Sequence, residues 1–191
     1  TKHGADRIVR NLQKNNIVDA LKVYTEATKL SPKNAENYYQ LGKLFFEENQ
    51  FKDAREALEK ALSLRNNHAP TFYELGRVKL AESKPKEAET LLIKAVVGDE
   101  NNLDYLKALA DVEVVNKKFD SALNRLLKVL QDNPDDLSIL FSLCTVYSKK
   151  RYYTVAIRYC ENALTKGNTE LDVKNRVAWL YAKKGIKIDK G

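Results

Sequence analysis

The sequence has no methionine, two cysteines, four prolines and two histidines among its 191 residues. So few cysteines exclude a disulfide framework standing in for a core. The seven glycines are scattered singly, which excludes the glycine-rich loops that wrap phosphates. No stretch approaches the roughly 18 apolar residues of a membrane-spanning helix, and the first residues lack the basic-then-apolar order of a secretory signal. Methionine is missing even at residue 1, so the sequence reads as an excerpt or a processed form. A signal or anchor before Thr1 would leave no trace in it, and the compartment stays open, with the cytoplasm favoured.

What the sequence has instead is a period. Ala20, Ala54, Ala88, Ala122 and Ala156 stand 34 residues apart. Large apolar residues keep the same step at Tyr38, Phe72, Leu106 and Leu140. Three residues on come Leu41, Leu75, Leu109 and Leu143, and then small residues at Gly42, Gly76, Ala110 and Cys144. Ala27, Ala61, Ala95, Val129 and Ala163 follow seven residues after each alanine of the first set. A unit of this length cannot bury its own apolar face and must lean on its neighbours. The frame gives units 1–34, 35–68, 69–102, 103–136 and 137–170, with residues 171–184 as the first helix of a sixth. The expectation is one array over residues 1–191. The first unit is the least regular, since Gly4, Arg7 and Asn11 stand where apolar residues belong.

Within a unit the spacing is helical. Tyr38, Leu41, Gly42 and Phe45 fall on one helix face, and Ala54, Ala57, Leu58, Ala61 and Leu62 repeat that stripe after the polar turn Asn49-Gln50. Two antiparallel helices per unit follow, and Gly42 and Gly76 mark where their axes approach most closely. Pro70 and Pro85 fall in predicted first turns, where a missing N–H costs nothing. Gly98 and Gly167 fall at predicted helix ends as left-handed caps. Cys144 takes the small slot and Cys160 the slot of Leu58, Leu92 and Leu126, so both read as buried core. A bridge between these two helices is geometrically conceivable, but sparse cysteine use argues against it.

The order aromatic, Leu-Gly, aromatic, Ala, Phe, Ala in residues 35–68, with Pro32 and Pro134 at a shared offset near the unit's end, resembles the tetratricopeptide repeat. The resemblance covers nearly the whole chain. It implies an all-α fold, an α-solenoid of stacked antiparallel helix pairs wound as a right-handed superhelix of about eleven helices. It also implies a scaffold or adaptor for protein–protein interaction, with the first helix of each unit lining a concave groove.

Nothing points to catalysis. His3 and His68 have no metal ligand at suitable spacing, so no metal is expected, and no histidine accompanies either cysteine as the base of a nucleophile. Carboxylate pairs such as Glu47-Glu48 and Asp135-Asp136 fall on turns and outer faces. No cofactor and no enzymatic activity are expected.

The groove residues implied by the resemblance run in rows. One is Tyr39, Tyr73, Lys107, Phe141 and Asn175; a second is Lys43, Arg77, Asp111, Thr145 and Trp179; a third is Phe46, Leu80, Val114 and Ser148. The peptide-binding candidates are Tyr39, Lys43, Phe46, Tyr73, Arg77, Leu80, Lys107, Phe141 and Trp179. Aromatic residues with interleaved cations suit a protein or peptide carrying apolar side chains and at least one carboxylate. Some members of the family grip chaperone C-terminal tails, but the matching positions here are Tyr39, Lys43, Glu74, Asp104 and Ala108, of which one is cationic and two acidic. A chaperone tail is therefore not expected.

The net charge of +7 lies at one end: residues 137–191 hold eleven basic and four acidic groups, while the rest is balanced. Lys149, Lys150, Arg151, Lys174, Arg176, Lys183 and Lys184, continued by Lys187 and Lys190, form a candidate basic patch. An ordinary solvated surface is the first reading of these residues; an acidic protein partner comes next, ahead of an anionic membrane or RNA, and no RNA-binding signature occurs. Trp179, Leu180 and Tyr181 make end-to-end self-assembly into a homo-oligomer through terminal helices the alternative structural reading.

Overall fold

The computed structural model describes residues 2–167 and 171–185, with side chains from residue 16 onward. Lys187 and Lys190 lie outside the described residues, as do the side chains of His3, Gly4, Arg7 and Asn11. Every regular element among the described residues is helical, and the helices gather into two compact units, one up to Asp99 and one from Glu100. The first unit holds α1 (Lys2–Leu30), α2 (Ala35–Glu47), α3 (Phe51–Leu64), α4 (Ala69–Ala81) and α5 (Pro85–Gly98). The second holds α6 (Leu103–Val115), α7 (Phe119–Asp132), α8 (Leu137–Lys149), α9 (Tyr153–Thr165) and α10 (Leu171–Lys184).

The described residues form ten helices where the sequence predicts about eleven, because residues 2–30 run as one helix instead of a hairpin. Folding back is rewarded only when a first helix has an apolar face to bury. With Gly4, Arg7 and Asn11 at the face positions, unbroken helical hydrogen bonding wins.

Four hairpins close by the same device. Asn49, Ser83, Lys117 and Arg151 are left-handed, with φ of 60°, 61°, 62° and 66°, and they lie 34 residues apart. Each is followed by an N–H that reaches back to cap a helix carbonyl: Gln50 to Phe45 at 2.8 Å, Lys84 to Lys79 at 2.8 Å, Lys118 to Glu113 at 2.7 Å and Tyr152 to Tyr147 at 2.9 Å. This Schellman geometry satisfies orphan carbonyls and turns the chain within two residues. Pro70 and Pro85 stand at the starts of α4 and α5, as their missing N–H requires. Asn34, Asn102 and Asp136 accept backbone N–H bonds as N-caps of α2, α6 and α8.

The seam inside each hairpin joins residues 16 apart. A Cβ on Gly42 would stand 2.5 Å from Leu58 Cγ, and one on Gly76 would stand 2.8 Å from Leu92 Cγ. Ala110 and Leu126 belong to one buried cluster of the second unit. At the same offset in the fourth hairpin, Cys144 and Cys160 are joined in a disulfide with their Cα atoms 5.3 Å apart. The two cysteines are therefore buried, but not as thiols. Overall scarcity of cysteine misleads here, because two facing slots of the closest seam are what decides whether a bridge forms.

Gly98 also departs from expectation. It is not left-handed; a Cβ there would lie 2.6 Å from Ala69 Cβ, so its smallness lets the end of α5 meet the start of α4. Gly167, with φ of 102°, is the left-handed cap.

Candidate functional site

In the first unit, α2 and α4 carry the candidate aromatics and cations. Tyr39 and Phe46 are half-buried and pack on the cluster of Ala54, Leu58, Leu75 and Val78. Tyr39 meets the His68 ring edge-on at 5.3 Å, and Lys43 lies over its face at 5.5 Å. Phe46 tilts against Phe51 at 5.6 Å. The Arg77 guanidinium stands 4.3 Å from the Phe46 ring and 5.7 Å from that of Tyr73, while its Nη1 donates to Glu74 at 2.8 Å. Leu80 is half-buried nearby on α4.

Arg77 is thus already engaged. Glu74 is only 5% exposed, and burial pushes its carboxyl above the usual range while Arg77 pulls it back. An arginine holding a buried carboxylate has little charge left for a partner's. The aromatic row here serves packing first. Ser148, at the end of the third row, is buried and offers no groove contact.

The second unit is built differently. Asp136 caps α8 by accepting from the N–H groups of Ser138 at 2.8 Å and Ile139 at 3.1 Å, which fixes the phase of the α8 face. Ser138, Phe141, Ser142 and Thr145 follow at helical spacing and line a concavity of about 720 Å³, together with Lys107, Asp111 and Val114 from α6 and Arg176 from α10. A second hollow of about 550 Å³ shares Phe141 and Arg176 and adds Asp172, Asn175 and Trp179. Phe141 and Arg176 therefore stand between two adjoining depressions. Trp179 is 44% exposed, with Tyr153 edge-on at 6.2 Å and the Lys183 ammonium 5.6 Å from its ring.

Electrostatics around the larger concavity are mixed. Asp111 keeps much of its surface open to solvent, yet desolvation by surrounding atoms raises its carboxyl above the ordinary value and Lys107 opposes the shift. Among the described residues, no ion pair holds Lys107 or Arg176. The concavity thus offers two cations, one carboxylate, the hydroxyls of Ser142 and Thr145 and the apolar surfaces of Phe141, Val114 and Leu137, while the Ser138 hydroxyl donates to Asp136 at 2.6 Å. Among the described residues no group of histidine, cysteine and carboxylate side chains could hold a metal ion. No helix among them is long and apolar enough to cross a membrane.

The described basic residues of the candidate patch have different surroundings. Lys150 pairs with Asp120 and lies over the Tyr152 ring at 5.6 Å. Arg151 and Lys184 border a small hollow of about 280 Å³ with Tyr152 and Tyr153. Lys149 is exposed at the end of α8. Lys174 and Lys183 are nine residues apart on α10, half a turn out of phase. Arg176 belongs to the concavity, and so do Ser138 and Ser142, which the three rows leave out. A signal for Ser142 and Arg176 was available: Gln40, Glu74, Ala108, Ser142 and Arg176 form a fourth row one residue beyond the first.

Residues 13–95 match the family described as anaphase-promoting complex, cyclosome, subunit 3. No curated protein sequence matches the chain. Among solved structures, a crystal structure of MamA is 24% identical with a TM-score of 0.73, the match covering 82% of this chain and 92% of that one. YrrB, described as a TPR protein with an unusual peptide-binding site, is also 24% identical with a TM-score of 0.73, over 90% and 86% of the two chains. PilF of Pseudomonas aeruginosa is 21% identical with a TM-score of 0.76, over 93% and 81%. The 34-residue period, the recurring Schellman hairpins and these likenesses together show that the chain has the tetratricopeptide-repeat fold.

Proposed function

We propose that the chain is a non-catalytic interaction scaffold that binds a partner peptide in the concavity of its second unit, without a cofactor. The observation that carries this reading is the convergence of Lys107, Phe141, Thr145 and Arg176 on one open concavity, with Trp179 on the adjoining hollow. A segment with an apolar side chain against Phe141 and a carboxylate facing Lys107 and Arg176 matches that surface, and Asp111 favours a donor nearby on the same peptide. The wall is preformed by helix packing, so little ordering cost remains for the partner to overcome. YrrB, which has the same fold and is described with a peptide-binding site, supports the reading. In the first unit, Tyr39, Lys43, Phe46 and Tyr73 offer a second aromatic face, with Arg77 acting as a structural support.

The test is selection from a random peptide library with the wild-type chain and with a Lys107→Glu, Arg176→Glu variant. Enrichment of acidic-apolar peptides by the wild type, lost in the variant of unchanged helicity, supports the reading. Equal enrichment by both removes the concavity as the site.

A further inference from the structure

The disulfide lies where the repeat makes its closest internal contact. In the preceding hairpins the seam is filled by a small residue against a leucine: Gly42 with Leu58, Gly76 with Leu92, and Ala110 with Leu126 in the same place. The fourth hairpin has no leucine there. Cys160 stands in its slot, and the covalent bond to Cys144 supplies the cohesion that leucine burial supplies elsewhere.

That seam backs the candidate site. Cys144 and Cys160 are wholly enclosed in a cluster with Leu140, Ala156, Ile157, Val173 and Leu180. Phe141 packs on this cluster from α8, and Val173 and Leu180 dock α10 onto it. Phe141 and the Arg176 of α10 border both depressions, and Trp179 of α10 borders the smaller one. The bond thus lies behind both walls.

We propose that the Cys144–Cys160 bridge is a redox clamp on this site, holding α8, α9 and α10 in the arrangement that accepts a peptide, and that its reduction by a dithiol loosens that wall. The proposal rests on the binding role given above. In the reduction, a reductant thiolate attacks one sulfur, the S–S bond breaks and a mixed disulfide forms, while the other cysteine leaves as a thiolate and takes up a proton. The reductant's second thiolate then attacks its own sulfur in that mixed disulfide, closing a disulfide within the reductant and releasing the second cysteine, which is protonated in turn. Two electrons pass to the protein. Because both sulfurs are enclosed, attack waits for the α8–α9 seam to open, so a peptide bound to the closed wall slows reduction.

Trp179 is the sole tryptophan of the chain and sits on the wall in question, so it reports the clamp without any ligand. The experiment compares the wild type with a Cys144→Ala, Cys160→Leu variant, which rebuilds the Ala110–Leu126 seam without a bond. Each is measured with and without a dithiol reductant, and thiol titration verifies complete reduction of the wild type. The expected result is a shift of Trp179 emission and faster amide exchange in α8–α10 on reducing the wild type, with neither change in the variant. A peptide selected as described above should bind reduced wild type at least about tenfold more weakly and bind the variant equally in both conditions. Fully reduced wild type with unchanged emission, exchange and affinity overturns the clamp, as does an equal response from the variant. Loss of peptide binding by the oxidised protein, with emission and exchange still responding, sinks the binding role and leaves the clamp standing.

Discussion

Replacing Gly42 by alanine should destabilise the protein, although alanine is the better helix former. In an open helix the exchange stabilises by about 1 kcal/mol. Here the new methyl would sit 2.5 Å from Leu58 Cγ, 2.8 Å from its Cδ2 and 3.2 Å from the Ala54 carbonyl oxygen. Leu58 is fully enclosed, so it has nowhere to swing, and overpacking of this kind costs roughly 1–3 kcal/mol. The net expectation is a loss of about 1 kcal/mol, read by urea unfolding followed through helical circular dichroism. Truncating Leu58 to alanine costs about 2–5 kcal/mol by itself but removes the obstacle. In that background Gly42→Ala should therefore change sign and stabilise by about 1 kcal/mol, a coupling of about 2 kcal/mol across the seam. Stabilisation by Gly42→Ala in the wild-type background would refute the close-approach argument.

Other perturbations follow from the same geometry. Arg77→Ala leaves the enclosed Glu74 carboxylate without its partner and should cost about 1–3 kcal/mol in urea unfolding at neutral pH. Because the folded carboxyl is already raised above its unfolded value, the folded state binds the extra proton first as pH falls, so the charge penalty is present above the folded value and relieved below it. Removing Arg77 raises the folded carboxyl further still, so the Arg77→Ala deficit should shrink as pH falls from the variant's higher folded value to that of the wild type, and a deficit independent of pH would count against the pairing. Lys117→Gly removes a left-handed penalty of roughly 1–2 kcal/mol against a flexibility cost of about half that, and a slightly higher melting temperature is expected. Reducing the Cys144–Cys160 bridge releases a short loop and should lower unfolding stability by about 3 kcal/mol.

Much of the fold is legible in the residues because apolar spacing and smallness are local properties that repeat. Gly42, Gly76 and Ala110 declare the seam before any coordinate is known, and Pro70 and Pro85 fix the phase of two helices. The first unit reads differently, since the period predicts a helix pair over residues 1–34 while the decision to fold back depends on whether an apolar face rewards it. Gly98 shows a second limit: a glycine at a helix end suits either a left-handed cap or a close contact, and only the neighbour, Ala69, distinguishes them. At the candidate site, row membership identifies Lys107 and Phe141 but not which cations are already engaged. Arg77 and Arg176 look alike in sequence, yet one is held by Glu74 from the same helix and the other faces a concavity.

The most direct test of the account is the affinity of a library-selected acidic-apolar peptide for the wild type and for the Arg176→Glu variant. The account predicts a loss of at least about tenfold, equivalent to roughly 1.4 kcal/mol, with the variant's helicity unchanged. Undiminished affinity would contradict it, because the peptide would then be bound somewhere other than the concave face of α6, α8 and α10.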